Sequence, residues 1–155
     1  MFKSHALFAS LIAGAMGLSA LASRAQPGPT KGSVVSDSFR KILVIQIKVH
    51  DGSKVLHQII ESSPDKKLGP QEKKVFAELL AKQKAIIVEM TRLNETLNMM
   101  GVAVAFPEVR EEVLADMKRI QSRLESNDVG LAAQAVQRDI VDSLQEMVQL
   151  SLKKC

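Results

Sequence analysis

The sequence predicts an all-α protein, an up-and-down bundle of three to four helices. The chain of 155 residues contains no Trp or Tyr and only 3% aromatic residues. Its core therefore has to be built from Leu, Ile, Val, Met and Ala, which suit helices packed against helices. Proline and glycine divide the chain into segments whose apolar residues recur every three or four positions, as on one face of an α-helix. Short connectors between these segments indicate antiparallel neighbours.

The first 25 residues have the organisation of a secretory signal peptide. Lys3 supplies a positive start, an apolar run extends from Ala6 to about Met16, and small residues lead to cleavage positions after Ala22 or Ala25. The run is rich in alanine and glycine, so it makes a poor permanent membrane span of ~20 residues. We expect export to the periplasm or the exterior with cleavage. An uncleaved segment would instead be an N-terminal membrane anchor.

Removal of residues 1–25 leaves 130 residues, enough for one domain. It also lowers the formal charge from +4 to +2, because Lys3 and Arg24 are lost without any acid. Positive and negative residues alternate along the rest of the chain, and aromatic stacking platforms are scarce, which argues against nucleic acid as a partner. Residues 26–38 are rich in Pro, Gly and Ser and are predicted to form a flexible linker. Residues 39–155 are predicted to form the helical bundle domain.

The first element of the bundle is ambiguous between helix and strand. Residues 41–49 alternate apolar and polar positions, which is the period of a strand, but residues 39–60 also show a helical stripe interrupted at Gly52. A lone hairpin would find no partner sheet in the remaining sequence. We therefore favour a helix from about 37 to 62, with Gly52 as the candidate position of a kink. Pro64 ends it, because the residue before a proline disfavours helix.

The second helix carries the most regular pattern in the chain. It begins at Gly69-Pro70, and Gly101 is its natural end. Over four heptads, two positions of each heptad carry an apolar residue, with a single exception among the eight residues. This pattern predicts a coiled-coil-like seam at about 76–100. The seam consists of Phe76, Leu79, Gln83, Ile86, Met90, Leu93, Leu97 and Met100. It has to be buried either against the other helices or against a second copy of the chain.

Gln83 is the one polar residue of this seam. A single polar residue in an apolar seam can fix the register or the oligomeric state at some cost in stability. The alternative is that Gln83 lies near an open end of the bundle and stays hydrated. Both interpretations fit the sequence equally well.

Two further helices follow. Pro107 and Glu108 mark the start of a third helix with apolar residues at 4-3-4 spacing from Val113 to Leu124. Residues 126–128 break this helix and offer capping side chains for the next. The last helix is apolar on one face and ends near Lys153-Lys154, where positive charge complements the helix dipole.

From Pro107 to about Leu150 the chain resembles the tail of a loosely defined group of short, exported, helical bacterial proteins. The matching residues are Gln134, Gln137, Ile140, Leu144, Met147 and Val148. Ala133 stands where the group usually has threonine. The resemblance implies export and a helical fold, and it supplies neither a function nor an active site.

One cluster has the chemistry of metal ligands, namely His50, Asp51, His57 and Glu61. Two imidazoles and a carboxylate can bind a divalent transition metal. The cluster lacks the tight His-x3-His spacing of a convincing helical metal site. We therefore interpret the histidines as residues that flank Gly52, and we interpret the methionines as core filling rather than copper ligands. No metal and no cofactor is expected.

Catalytic motifs are not found in the sequence. No glycine-rich elbow precedes a serine, and no phosphate-binding or dinucleotide-binding loop occurs. Cys155 is the single cysteine, which excludes an internal disulfide. After export it could form an intermolecular disulfide or remain an unpaired or capped thiol. The chain is not expected to be an enzyme.

These observations favour an exported, non-enzymatic helical protein that acts by helix–helix contact in the cell envelope. The partner would be a second copy or another envelope protein, bound through the apolar seam of the second helix. The alternative is a small periplasmic chaperone or a metal-responsive helical protein. Such a protein would use a concave apolar face or the region of His50 and His57.

Overall fold

The computed structural model describes residues 31–101 and 107–153, which form four α-helices. The helices are α1 (Lys31–Ser62), α2 (Pro70–Met99), α3 (Pro107–Glu125) and α4 (Leu131–Lys153). Helix α1 packs against α2 and α4, and α3 packs against the same two helices, so each helix has two neighbours. The described residues contain no β-strand. The prediction of an all-α bundle is confirmed, with four helices.

Helix α1 settles the ambiguity of the first element, because residues 41–60 are helical throughout. It also begins earlier than expected, inside the segment 26–38 predicted to be a flexible linker. Residues 31–38 are helical, and Val35 and Ser36 are buried. Val35 lies one turn before Phe39 on the same apolar stripe, so packing outweighs the poor helix propensity of the glycine and serines nearby. The linker prediction is therefore wrong for residues 31–38, and residues 26–30 lie outside the described ranges.

Gly52 is a contact position rather than an interruption. The chain is helical at Gly52 and on both sides of it. A Cβ atom at Gly52 would lie 2.7 Å from Cδ2 of Leu79, closer than real Cβ atoms come to another atom. The missing side chain thus allows α1 and α2 to approach closely at this level.

The apolar stripes of all four helices meet in one core. The seam of α2 contributes seven of its eight predicted residues to that core, all except Met100, which follows the end of α2 and is 39% exposed. Buried residues from the other helices cover this seam, among them Phe39, Ile120 and Leu144. In the folded chain the other helices therefore cover most of this seam. Three seam residues, Ile86, Leu93 and Met100, also line a groove at the surface that is described below, so the expectation that the seam binds a partner stays a prediction.

The connectors are capped by short-range interactions. Gly101 follows α2 with a φ of 57°, the left-handed conformation that glycine adopts without strain. Between α3 and α4, one carboxylate oxygen of Asp128 accepts from the backbone N–H of Gly130 at 2.9 Å. The other accepts from Arg123 at 2.6 Å. The bond from Gly130 and, after it, the contact with Arg123 lower the pKa of Asp128 below its ordinary value of 3.8.

Candidate interaction surface

Most of the exposed large apolar side chains belong to two neighbouring helices, α1 and α2. Ten large apolar residues are exposed among the described residues, and eight of them lie on α1, on α2 or directly after α2. These eight are Val34, Val44, Val55, Ile59, Val75, Val88, Met99 and Met100. The other two, Leu131 and Leu152, lie on α4. Clustered exposed apolar residues mark a contact surface more often than scattered ones do.

A groove opens between the first part of α1 and the last part of α2. Its volume is about 540 Å³. The residues that line it are Val34, Val35, Ser38, Lys41, Ile42 and Ile45 on α1, and Ala85, Ile86, Glu89, Arg92, Leu93, Thr96 and Met100 on or after α2. Most of these side chains are apolar. We call this feature the α1–α2 groove.

The groove exists because of the side chains that face each other across α1 and α2. At Gly52 and Leu79 the two helices are in tight contact. Towards the start of α1 the lining includes Ser38 on α1 and, nearer to Gly52, Ala85 on α2, and the short side chains of both residues leave space between the helices. Larger residues at these two positions would close the groove.

Charged residues of both signs flank the apolar lining. On the α2 wall, Glu89 and Arg92 form an ion pair at 3.2 Å, and both side chains are mainly exposed. Lys41 stands on the α1 wall, is exposed, and makes no ion pair with any of the described residues. The groove therefore combines an apolar floor with a charged rim, which is the general arrangement of protein–protein contact sites.

Gln83 lies in the interior of the bundle and not at a hydrated end. Its side chain is 0% exposed. Its amide nitrogen donates to the backbone carbonyl of Met117 at 3.1 Å, which links α2 to α3. The hydrated alternative is therefore wrong, while the role of Gln83 in fixing the register stays a prediction.

Two more glutamines occupy core positions that the sequence did not distinguish from solvated ones. Gln137 of α4 donates to the hydroxyl of Ser53 at 3.0 Å, and its amide oxygen lies 3.4 Å from Nδ1 of His50. Gln46 of α1 is 0% exposed, and both atoms of its amide group lack a hydrogen-bond partner. The available signal was the spacing, because Gln46 lies four residues after Ile42 and is thus on the same stripe.

Arg110 is a further buried polar residue that sequence reasoning missed. It is 4% exposed and lies on the apolar stripe of α3, three residues before Val113. One guanidinium nitrogen donates to the side-chain oxygen of Asn98 at 3.1 Å, whereas Nε and Nη1 have no partner. A buried charge with one hydrogen bond reduces stability unless other groups compensate.

The candidate metal ligands of α1 do not converge on one point. His50 is half-buried beside Gln137, and His57 is half-buried two helical turns further along α1. Glu61 is exposed and paired with Lys66 at 3.2 Å. Within the described ranges, no three His, Cys, Asp or Glu residues are arranged to hold a metal ion.

Two predictions fall outside the described residues. These are the signal peptide at residues 1–25 and the intermolecular disulfide at Cys155. Among residues 31–101 and 107–153, no helix has both the length and the apolar character needed to cross a membrane.

Comparison of the chain with protein-family models, with curated proteins and with solved structures gives no significant match. The case for a function therefore depends on the geometry of the bundle and its surface.

Proposed function

We propose that this protein is an exported, non-enzymatic helical bundle that acts by binding a helix of a second copy or of another envelope protein. The observation that carries the proposal is the α1–α2 groove, which is lined mainly by apolar side chains and lies between the two helices that hold most of the exposed large apolar residues. Docking of an amphipathic helix into an apolar groove is a common mode of recognition. The charged rim would then orient the bound helix.

The size of the groove fits a helix of a few turns. Its lining extends from Val34 to Ile45 on α1 and from Ala85 to Met100 on or after α2. At 1.5 Å per residue these stretches are roughly 17 and 23 Å long. A partner helix of three to four turns would cover this length and present apolar residues at every third or fourth position.

The proposed location is the cell envelope or the exterior. It is supported by the charged start, the apolar run and the small residues before Ala22 and Ala25. Mass spectrometry of the protein recovered from the envelope tests it. We expect a mature chain that starts at Ser23 or Gln26, whereas a chain that keeps residues 1–22 would favour the membrane-anchored form.

A chaperone is the second candidate, because the groove is a concave apolar face of the kind that binds exposed apolar segments. A chaperone would bind many unrelated sequences weakly and in no fixed register. The chaperone would be favoured if this protein, added in amounts up to equal to those of a heat-unfolded client protein, suppressed the aggregation of that client. The metal-responsive alternative depends on His50 and His57 and draws no support from the geometry of the described residues.

Site-specific photo-crosslinking in cells tests the groove as the contact surface. A photoreactive amino acid at Val88, which is 48% exposed and directly precedes the groove residue Glu89 on α2, should give a covalent adduct of defined mass. The same amino acid at Ala115, an exposed position of α3, is the matched control and should give none. Adducts at Ala115 and not at Val88 would show that a different surface makes the contact.

A pair of substitutions, each combined with the photoreactive amino acid at Val88, tests the groove further. Ala85→Glu places a charge in the groove at an exposed helical position, and Ala115→Glu places the same charge on α3. Both should leave the thermal stability nearly unchanged, since glutamate is a good helix former. Only Ala85→Glu should abolish the adduct at Val88. Equal adduct yields in both variants would refute the groove as the binding site.

A further inference from the structure

We propose that the partner in the α1–α2 groove is an acidic amphipathic helix, which has apolar residues along one face and a carboxylate at mid-length on the border of that face. This inference rests on the proposed function, since it names the chemistry of the helix that the same groove binds. It follows from the positions of the charged and the apolar residues along the groove.

The charges that line the groove have a positive sum. Three residues of the described lining are charged, namely Lys41 on α1 and Glu89 and Arg92 on α2. Glu89 and Arg92 pair with each other at 3.2 Å, so their charges offset one another. Lys41 has no ion pair within residues 31–101 and 107–153. The groove therefore presents one uncompensated positive charge to an occupant.

The two cations stand on opposite walls at nearly the same height. Gly52 and Leu79 are in tight contact, and the groove lies towards the start of α1 and the end of α2, so heights on both helices can be measured from this contact. Lys41 lies 11 residues from Gly52, and Arg92 lies 13 residues from Leu79. At 1.5 Å per residue these heights are roughly 17 and 20 Å. A carboxylate that enters the groove at this height therefore faces a cation on each wall.

Apolar residues line the groove on both sides of this charged level. Ile45 and Ala85 lie nearer to the contact at Gly52, at heights of roughly 11 and 9 Å, and Val34 and Met100 lie at the far end, at roughly 27 and 32 Å. An occupant that covers the whole groove needs apolar residues before and after its charged residue. In a helix, such residues share one face when they recur at every third or fourth position. The charged residue then belongs at mid-length.

The ion pair on the α2 wall leaves Arg92 able to bind an incoming carboxylate. A guanidinium has five N–H donors, and the contact with Glu89 uses Nη1 alone. Both side chains are mainly exposed, and exposed ion pairs are weak. A lysine of the partner would instead meet two cations and one carboxylate that is already paired. The groove therefore discriminates in favour of an acidic partner residue.

A set of three peptides tests the sign of the charge. Each peptide is a synthetic helix of about four turns with leucine at every third or fourth position. The peptides differ only at one mid-length residue on the border of the leucine face, which is glutamate, glutamine or lysine. Fluorescence anisotropy measures their binding to the protein purified after export. We expect the glutamate peptide to bind about threefold tighter than the glutamine peptide and about tenfold tighter than the lysine peptide, because exposed ion pairs contribute modestly.

Charge substitutions in the protein test whether the preference comes from the groove. Lys41→Glu should make the lysine peptide bind tighter than the glutamate peptide, because the sum of the lining charges changes from positive to negative. Glu89→Gln should widen the preference for glutamate. Lys118→Glu on α3 is the matched control away from the groove and should keep the original order. All three positions are exposed, so circular dichroism should show unchanged helix content. Raised salt should narrow the differences between the peptides.

The inference is overturned if the three peptides bind equally well, if the lysine peptide binds best, or if none binds at concentrations on the order of 100 µM. An unchanged order of affinities in Lys41→Glu would overturn it as well. Failure of the proposed function looks different, since Val88 would then give no protein adduct in cells. A Val88 adduct whose cross-linked segment has no acidic residue between its apolar ones would retain the groove and overturn the acidic helix. An adduct with a lipid instead of a protein would also overturn the acidic helix.

Discussion

Replacement of Gln46 by methionine is expected to stabilise the protein. Gln46 is 0% exposed on the core stripe of α1, and neither its amide nitrogen nor its amide oxygen has a hydrogen-bond partner. Methionine has nearly the same length and shape, so Gln46→Met removes an unsatisfied polar group without opening a cavity. A buried polar group without a partner costs about 1–3 kcal/mol. We expect a gain in the free energy of unfolding of about 2 kcal/mol, which for a domain of this size raises Tm by roughly 5–10 °C.

Gln137→Met is the matched control, because the side chains are the same and the hydrogen bonding differs. Gln137 is equally buried but donates to Ser53 at 3.0 Å, and its oxygen lies near His50. Its replacement would leave the Ser53 hydroxyl without that partner and should lower stability by about 1–2 kcal/mol. The two variants should therefore change Tm in opposite directions. Urea and thermal unfolding followed by circular dichroism measure both, and a lower Tm for Gln46→Met would show that the Gln46 amide is satisfied in solution.

Three further substitutions or conditions test the account of the bundle. Gly52→Ala should lower stability by about 1–3 kcal/mol through overpacking against Leu79, and a raised Tm, as helix propensity alone predicts, would contradict the tight contact. Arg110→Met should raise Tm by a few degrees, because a buried guanidinium with two unpaired nitrogens is removed; a large loss of stability would mean that this charge is compensated. The lowered pKa of Asp128 means that its carboxylate stabilises the fold above its ordinary value of 3.8, and that this contribution is lost as pH falls through the lower folded value. Asp128→Asn should therefore flatten the pH dependence of Tm below about pH 4, and an unchanged slope would refute the role of the bond from Gly130.

The candidate surface could be anticipated from the sequence only in part. The exposed valines of α1 and α2 are visible as apolar residues off the main stripe, but the sequence does not show that these two helices are neighbours with a groove between them. The groove is lined in part by the short side chains of Ser38 on α1 and Ala85 on α2. Nothing local distinguishes these two residues from other small residues in the chain.

The sequence by itself determined α2, α3 and α4 and the stripes by which they join the core, whereas it only favoured a helix for α1. Apolar residues recur every three or four positions from Phe76 to Leu97. This periodicity is a local property of the sequence and predicts a helix directly. Proline and glycine likewise marked the ends of α2 and the start of α3, because their backbone preferences act within a few residues.

Only the tertiary structure decided what each stripe faces. A seam of Leu, Ile and Met can be buried equally well by other helices of the same chain or by a second chain. That α1, α3 and α4 cover the seam of α2 could therefore not be deduced from the sequence of α2 alone. Gly52 is a second example. Its sequence context predicts an interruption of the helix, and only the structure shows that it is a contact position for Leu79. Gln46 and Gln137 have the same side chain on equally buried stripes, and only their neighbours make one of them paired and the other not. The contacts between helices join residues far apart in sequence, and their free energy depends on the arrangement of the whole bundle.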